Sequence, residues 1–268
     1  HALVTTEVIG MDEHPADAVR QKKDASIVRA AAAVRAGKAA GLFSAGSTGA
    51  VLTAATFGIG RIRGIKRPAL ALLLPGLHGH QAVFLDTGAN ADVKPEMMVD
   101  FARMGKAYAQ VALGIAEPSI GLLTNGSEET KGSALTLSYH EALASSTVGF
   151  SGNAEGVDLL GDRFDVIVAD GLTGNVALKT IESTGKFILS RIKDSVKSSK
   201  KAALGALLLK DALKQTAGEL SGDMVGGAVL LGLSAPVIKG HGSTSAGAVC
   251  AGTLAAATAA HGNLVGKI

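Results

Sequence analysis

Four short loops combine glycine with hydroxyl, amide and carboxyl side chains, each directly after an apolar run. They are 44–50 (SAGSTGA), 85–90 (LDTGAN), 169–175 (ADGLTGN) and 239–248 (KGHGSTSAGA). Glycine permits positive φ, which lets successive N–H groups turn inward and form a concave nest for an anion. A helix starting immediately afterwards adds unpaired N–H donors and the positive end of its dipole. One such loop is an ordinary strand-to-helix turn. Four converging at one edge of a sheet predict a site for phosphate or a developing oxyanion.

In open parallel sheets ligands gather at the carboxyl ends of strands, where these loops fall. The candidates for holding phosphate or substrate are Ser44, Gly46, Ser47, Thr48 and Gly49 in the first loop, and Asp86 and Asn90 in the second. The third loop adds Asp170 and Thr173, and the fourth adds Gly242 and Ser243, with Lys239 at its start. An Asp at a strand end also caps turns and helices, so Asp86 and Asp170 have a purely local reading as well. Asn175, where a helix should start, is the first choice for orienting reacting groups. Lys131, beside Gly132, is not readily explained as a cap and suits charge stabilisation. His241, between two glycines, is a candidate for proton handling.

Other features carry less. The G-x-G-x-x-G fingerprint does not follow a strand, the P-loop signature is absent, and 58–64 (GIGRIRG) reads as a loop after a helix. His78 and His80 lack an evident third ligand and read as a polar loop, so no metal is expected. Cys250, in an alanine-rich helical pattern, reads as a buried thiol.

Positioning these groups requires alternating strands and helices. Apolar runs predict strands at 7–11, 41–44, 69–74, 82–86, 119–124, 148–151 and 165–170, and a hairpin of 228–233 with 236–239. Amphipathic stretches predict helices at 26–35, 49–58, 95–113, 133–144, 175–196, 202–220 and 245–260. This is an α/β chain with a largely parallel sheet. Pro95 and Glu96 fit a first helical turn, where proline forfeits no hydrogen bond and the acid meets the dipole.

Composition narrows the classes. The 268 residues, 47% hydrophobic, can bury a full core. Aromatics at 3%, no Trp and a net charge of +3 give no basis for nucleic-acid binding. One cysteine suits a reducing cytoplasm. No apolar run reaches the roughly 18–20 residues of a membrane span. The opening HALVTTEVIG, without Met or a signal-peptide pattern, reads as the interior of a longer protein. Residues 186–214 carry a local net charge of +6 around the apolar AALGALLL at 202–209. That predicts a helical hairpin over 186–220, either with a solvated basic face or protruding toward an anionic membrane or acidic partner. The tip residues would be Leu204, Leu207 and Leu208 with Lys200 and Lys201.

KKDASI (22–27), SAGSTGA, RPAL (67–70), LDTGAN, PEMMVDFARMG (95–105), ETKG (129–132), GNAEG (152–156), DGLTGN and KGHGSTSA occur in this order. Together they resemble the bacterial phosphate acyltransferase (PlsX) family over nearly the whole chain. The resemblance implies a three-layer α/β/α fold like that of isopropylmalate dehydrogenase and the phosphotransacetylases, formed by residues 1–268 as one domain with the protruding hairpin. It implies an enzyme of phospholipid synthesis, without cofactor. The acyl group would pass from acyl carrier protein to inorganic phosphate, giving acyl phosphate. It also implies a homodimer in the cytoplasm, peripheral to the inner membrane face, near a downstream membrane acyltransferase. Asn153, within GNAEG, joins the candidate binding residues on the same ground. The family has a further N-terminal segment with its own glycine-rich loop, which precedes the first residue here. It also commonly has Asn where Ser47 stands, so the hydroxyl keeps a donor and loses the amide.

The chemistry asks for phosphate in line with a thioester carbonyl, donors aimed at the developing oxyanion, and charge near the departing thiolate. It asks for no covalent enzyme intermediate, which suits a chain with one Cys and no G-x-S-x-G elbow. The alternatives are an acetyl-CoA:phosphate acetyltransferase and a nonenzymatic membrane-surface scaffold. A dehydrogenase on the related fold is disfavoured, because no acidic metal cluster or nicotinamide fingerprint is visible.

Overall fold

The computed structural model describes residues 2–213, 218, 227–242 and 244–268. Ser243 and most of 214–220, at the far end of the expected hairpin, lie outside the described residues. The strands are β1 (Leu42–Ser44), β2 (Ala69–Pro75), β3 (Gln81–Leu85), β4 (Ile120–Leu123), β5 (Phe150–Ala154), β6 (Val166–Val168), β7 (Ala228–Leu231) and β8 (Val237–Lys239). They form one eight-stranded sheet in the order β1-β8-β7-β2-β3-β6-β4-β5. β1 is parallel to β8, and β3, β6, β4 and β5 are parallel to one another. β2 is antiparallel to β3 and β7, and β7 to β8.

The expected largely parallel sheet is therefore mixed: two parallel blocks run in opposite directions, joined through β2 and β7. The cause is loop length. Residues 76–80 and 232–236 are too short for a parallel crossover, which takes a dozen or more residues, so each closes a hairpin. His78 and His80 belong to the first of these turns, and His80 Nε2 meets the Phe164 carbonyl at 3.0 Å. The strand expected at 7–11 is absent, and only Glu7 bridges, to Ala25. Val8 and Met11 stay exposed there, so that run has no core to join.

The helices are α1 (Pro15–Gln21), α2 (Ser26–Arg35), α3 (Thr48–Gly58), α4 (Pro95–Ala112), α5 (Ala134–Ala144), α6 (Gly171–Lys197), α7 (Lys200–Leu208), α8 (Ala246–His261) and α9 (Leu264–Lys267). Side chains alternate across the sheet and sort the core by face. On one face Val83, Leu85, Val166, Val168, Val229, Leu231 and Ile238 join Met98 and Phe101 of α4, Leu143 of α5 and Ala256 of α8 in a single core. The opposite face is broken in two. Leu42, Leu70, Leu230 and Val237 pack under α2 and α3. Leu74, Phe84 and Ile167 pack under Ala177, Leu178 and Ile181 of α6. The two clusters leave a strip of that face between α3 and α6, a groove at whose edge Leu72 of β2 is partly buried against the α2–α3 cluster.

Two expectations change with the packing of the later helices. α8 turns Ala248, Gly252, Ala256 and Ala259 inward, which leaves Cys250 on its outer side, exposed rather than buried. α6 begins four residues earlier than expected, at Gly171, and runs well past the sheet: beyond Gly185 none of its residues is buried, nor is any of α7.

Candidate functional site

The opposed strand directions divide the four loops into pairs. The loops after β1 and β8 leave by one edge and those after β3 and β6 by the other, so convergence at a single edge is corrected to convergence in twos. Ser44 pairs with Lys239, Lys239 with Ala228, and the neighbouring Val229 with Ala71. Leu72 in turn pairs with Phe84, two residues before Asp86. The pairs are thus offset by only two or three residues along the strands, but β7 and β2 stand between β8 and β3, which sets them roughly 14 Å or more apart across the sheet.

Backbone conformation also revises the nest argument. Among the glycines of the four loops, only Gly88 has positive φ. Gly49, Gly171, Gly174 and Gly240 instead serve close approach. A Cβ on Gly174 would sit 1.9 Å from the Asp86 carbonyl oxygen, and one on Gly171 2.4 Å from that of Asn90. The second loop therefore rests directly on the first turn of α6, and DGLTGN carries glycine for packing. Gly49 likewise admits Pro15 of α1.

Loop 85–90 does form a nest, but the protein fills it. Asp86 is fully buried. Its Oδ1 accepts from the amides of Leu70 (2.9 Å), Gly88 (3.2 Å) and Ala89 (3.0 Å). Its Oδ2 accepts from the Asn90 amide (2.7 Å) and Asn90 Nδ2 (2.8 Å). Asn90 Nδ2 also donates to the Pro68 carbonyl. Burial pushes the Asp86 carboxyl above the usual Asp range, against the pull of these donors. Asp86 and Asn90, expected to bind substrate, instead build the loop. Asp170 has its local reading too: it caps α6, accepting from the Thr173 amide at 2.8 Å and from Thr173 Oγ1 at 2.7 Å.

What this framework presents is Asn175. It opens the second turn of α6, exposed, with Nδ2 donating to the Thr87 carbonyl at 3.2 Å. Beside it, at the carboxyl ends of β4 and β6, opens a pocket of about 340 Å³ lined by Thr124, Asn125, Ser133, Thr136, Asp170 and Thr173. Lys131 stands exposed in the loop before Ser133, its stem lying over Gly126. Asn153 is buried and anchors this loop from β5, donating to the Glu128 carbonyl at 2.7 Å and meeting His140 Nδ1 at 2.9 Å. Asn153 thus positions Lys131's loop instead of facing the pocket. Tyr139, behind the pocket, bonds the Val93 carbonyl, and burial is the main cause that pushes its hydroxyl up to about 12. It stays a neutral donor at ordinary pH.

The other pair flanks the groove from β1 and β8. By alternation with Leu42 and Val237, Ser44 and Lys239 present their side chains on the groove face, both half-buried. Ser44 Oγ accepts from the Gly46 amide at 3.2 Å, and Ser47 Oγ caps α3 through the Ala50 amide at 3.2 Å. Both hydroxyls keep a proton to donate. Thr48 and Gly49 form the first turn of α3. His241 and Gly242 follow Lys239 and are exposed, so His241 leaves with this pair while Asn175 and Lys131 share the other edge. Thr124, Ser133 and Thr136 were not singled out from sequence; SxxT at 133–136 is the one signal, as a helix cap, which Ser133 provides.

The phosphotransacetylase of Streptococcus pyogenes superposes with a TM-score of 0.61 over 91% of this chain and 70% of its own, at 16% identity. A branched-chain phosphotransacylase from Enterococcus faecalis V583 gives 0.57 over 88% and 79%, at 15% identity. At these identities the likeness is one of fold. The chain belongs to the fatty acid synthesis protein family, which matches residues 1–267. It is 49% identical over 253 residues to the phosphate acyltransferase of Limosilactobacillus reuteri, covering 92% of this chain and 74% of that protein. With the phosphate acyltransferase of Heliobacterium modesticaldum it shares 47% over 247 residues, covering 92% and 73%.

Proposed function

We propose that the protein is a phosphate acyltransferase that moves a fatty acyl group from a thioester on acyl carrier protein to inorganic phosphate. The observation that carries this reading is the 49% identity to a phosphate acyltransferase over 92% of the chain, with Asn175 and Lys131 on the same sheet edge as a pocket of about 340 Å³ at the carboxyl ends of β4 and β6. A phosphate oxygen attacks the thioester carbon, the carbonyl oxygen takes the charge, and the carbon–sulfur bond then breaks. The thiolate leaves with a proton from solvent or a neighbouring group. Asn175 supplies a neutral donor at the carbonyl and Lys131 supplies positive charge as the oxyanion forms. Ser44, Ser47, Thr48 and Gly242 contribute donors toward the anion from the facing loops. A donor comparison tests the reading: turnover with a long-chain acyl thioester on the carrier should far exceed that with acetyl-CoA. The reverse order would favour the acetyltransferase alternative.

The α6–α7 hairpin serves the same chemistry by meeting the membrane, where an acylated product avoids water. No helix among the described residues is long and apolar enough to cross a membrane. Yet Leu204, Leu207, Leu208 and Leu209 are 62%, 66%, 81% and 57% exposed, more apolar surface than a solvated tip should show. Lys197, Lys200 and Lys201 lie beside them, and each basic residue near an anionic surface contributes roughly 1 kcal/mol. Replacing Leu207 and Leu208 together by Glu should abolish co-sedimentation with anionic liposomes while light scattering shows an unchanged oligomer. A dissociated oligomer would place these leucines in a subunit interface instead.

A further inference from the structure

We propose that Lys239, with Lys179 facing it from α6, is the cationic grip on a phosphoryl group in the groove, an inference that rests on the transferase reading above. Lys239 is the last residue of β8, and alternation turns it to the groove face beside Ser44, its partner on β1. It is half-buried, and its ammonium makes no hydrogen bond or ion pair with the described residues. Burial first, and then repulsion from Lys179, hold its ammonium below the usual lysine range, with Glu182 opposing.

The local charge does not balance. Glu182 already pairs with Lys179 at 2.7 Å, whereas no carboxylate among the described residues lies within ion-pair distance of the Lys239 ammonium. Lys239 is thus a half-buried ammonium without a counter-ion among these residues. An anion of one or two charges restores the balance, and a lysine is well suited to hold phosphate as a point charge. Position agrees with chemistry. Asn175, Lys179 and Glu182 are spaced i, i+4 and i+7, so they form one stripe along α6. The stripe that carries the donor amide at Asn175 carries the ammonium one turn on. A merely structural lysine would lay its stem on apolar surface and keep its head in water, indifferent to phosphate.

The phosphoryl group has two sources, inorganic phosphate and the phosphodiester on the arm of a carrier-bound thioester, and steady-state kinetics separates them. Lys239→Gln should raise KM at least about tenfold for one substrate, with a smaller change in kcat, and Lys239→Arg should recover most of the loss. A rise confined to phosphate assigns the grip to the co-substrate; a rise confined to the thioester assigns it to the donor's phosphodiester. Lys179→Gln should shift the same constant in the same direction, which keeps the inference testable if Lys239→Gln misfolds. Inorganic phosphate should also raise the melting temperature of the unaltered protein more than that of Lys239→Gln. Both KM values within twofold of the unaltered protein, with an undiminished phosphate-induced melting shift, overturn the grip. Failure of the unaltered protein to form acyl phosphate removes the transferase reading instead, and the melting experiment then still reports on Lys239.

Discussion

Asn175→Ala and Lys131→Ala should each lower turnover at least about a hundredfold, while their melting temperatures stay within a few degrees of the unaltered protein. Loss of one preorganised donor typically removes about 2.7–4 kcal/mol of transition-state stabilisation, which sets that scale. Both residues are exposed. Asn175 makes a single hydrogen bond, to the Thr87 carbonyl, and Lys131 rests only its stem on Gly126, so neither supports much of the fold. Asn175→Asp is the sharper variant. It preserves shape but replaces the donor with a negative charge facing an oxyanion, and should be no better than alanine. Near-normal kcat in the purified alanine variants of both residues would remove them from the reacting centre.

The second large effect is on stability. Asp86→Ala should destabilise the protein by roughly 3–5 kcal/mol, because it strands a set of buried donors that one carboxylate now satisfies. At this chain length that is a drop in melting temperature on the order of 10 °C. Asp86→Asn should fall between, since an amide oxygen can keep the three bonds to Leu70, Gly88 and Ala89 while its NH₂ confronts the Asn90 amide. Scanning calorimetry of the three proteins checks the order. An unchanged melting temperature for Asp86→Ala, paired with lost phosphate binding, would return Asp86 to the substrate site.

The contrast between Asp86 and Asn175 shows what sequence can and cannot say here. Strand and helix positions were legible because apolar runs and periodic stretches encode burial directly; α2 and α4 start where the pattern puts them. α1 was not, since seven residues show no period and Pro15 alone marks its start. Strand direction was legible in the hairpin of 228–233 with 236–239, which forms as expected. It was not legible for β2, whose sequence reads the same whichever way its neighbours run; only the short turn at 76–80 marks its antiparallel pairing with β3, and missing it carried into the expectation of four loops at one edge. The glycines misled in a related way. Gly171 and Gly174 look like a phosphate cradle in sequence, whereas they admit the backbone of loop 85–90. A motif records that glycine is needed, and geometry alone records which neighbour needs it. Lys179 had no motif at all.

Mass spectrometry of the reaction products tests the central claim most directly. The protein is incubated with an acyl thioester on acyl carrier protein and with ¹⁸O-labelled inorganic phosphate, and the products are trapped and weighed. The account predicts an acyl phosphate that retains the phosphate label and forms one-for-one with free carrier thiol, only when phosphate is present. Thiol release without phosphate, with the acyl group recovered as free fatty acid, would contradict it.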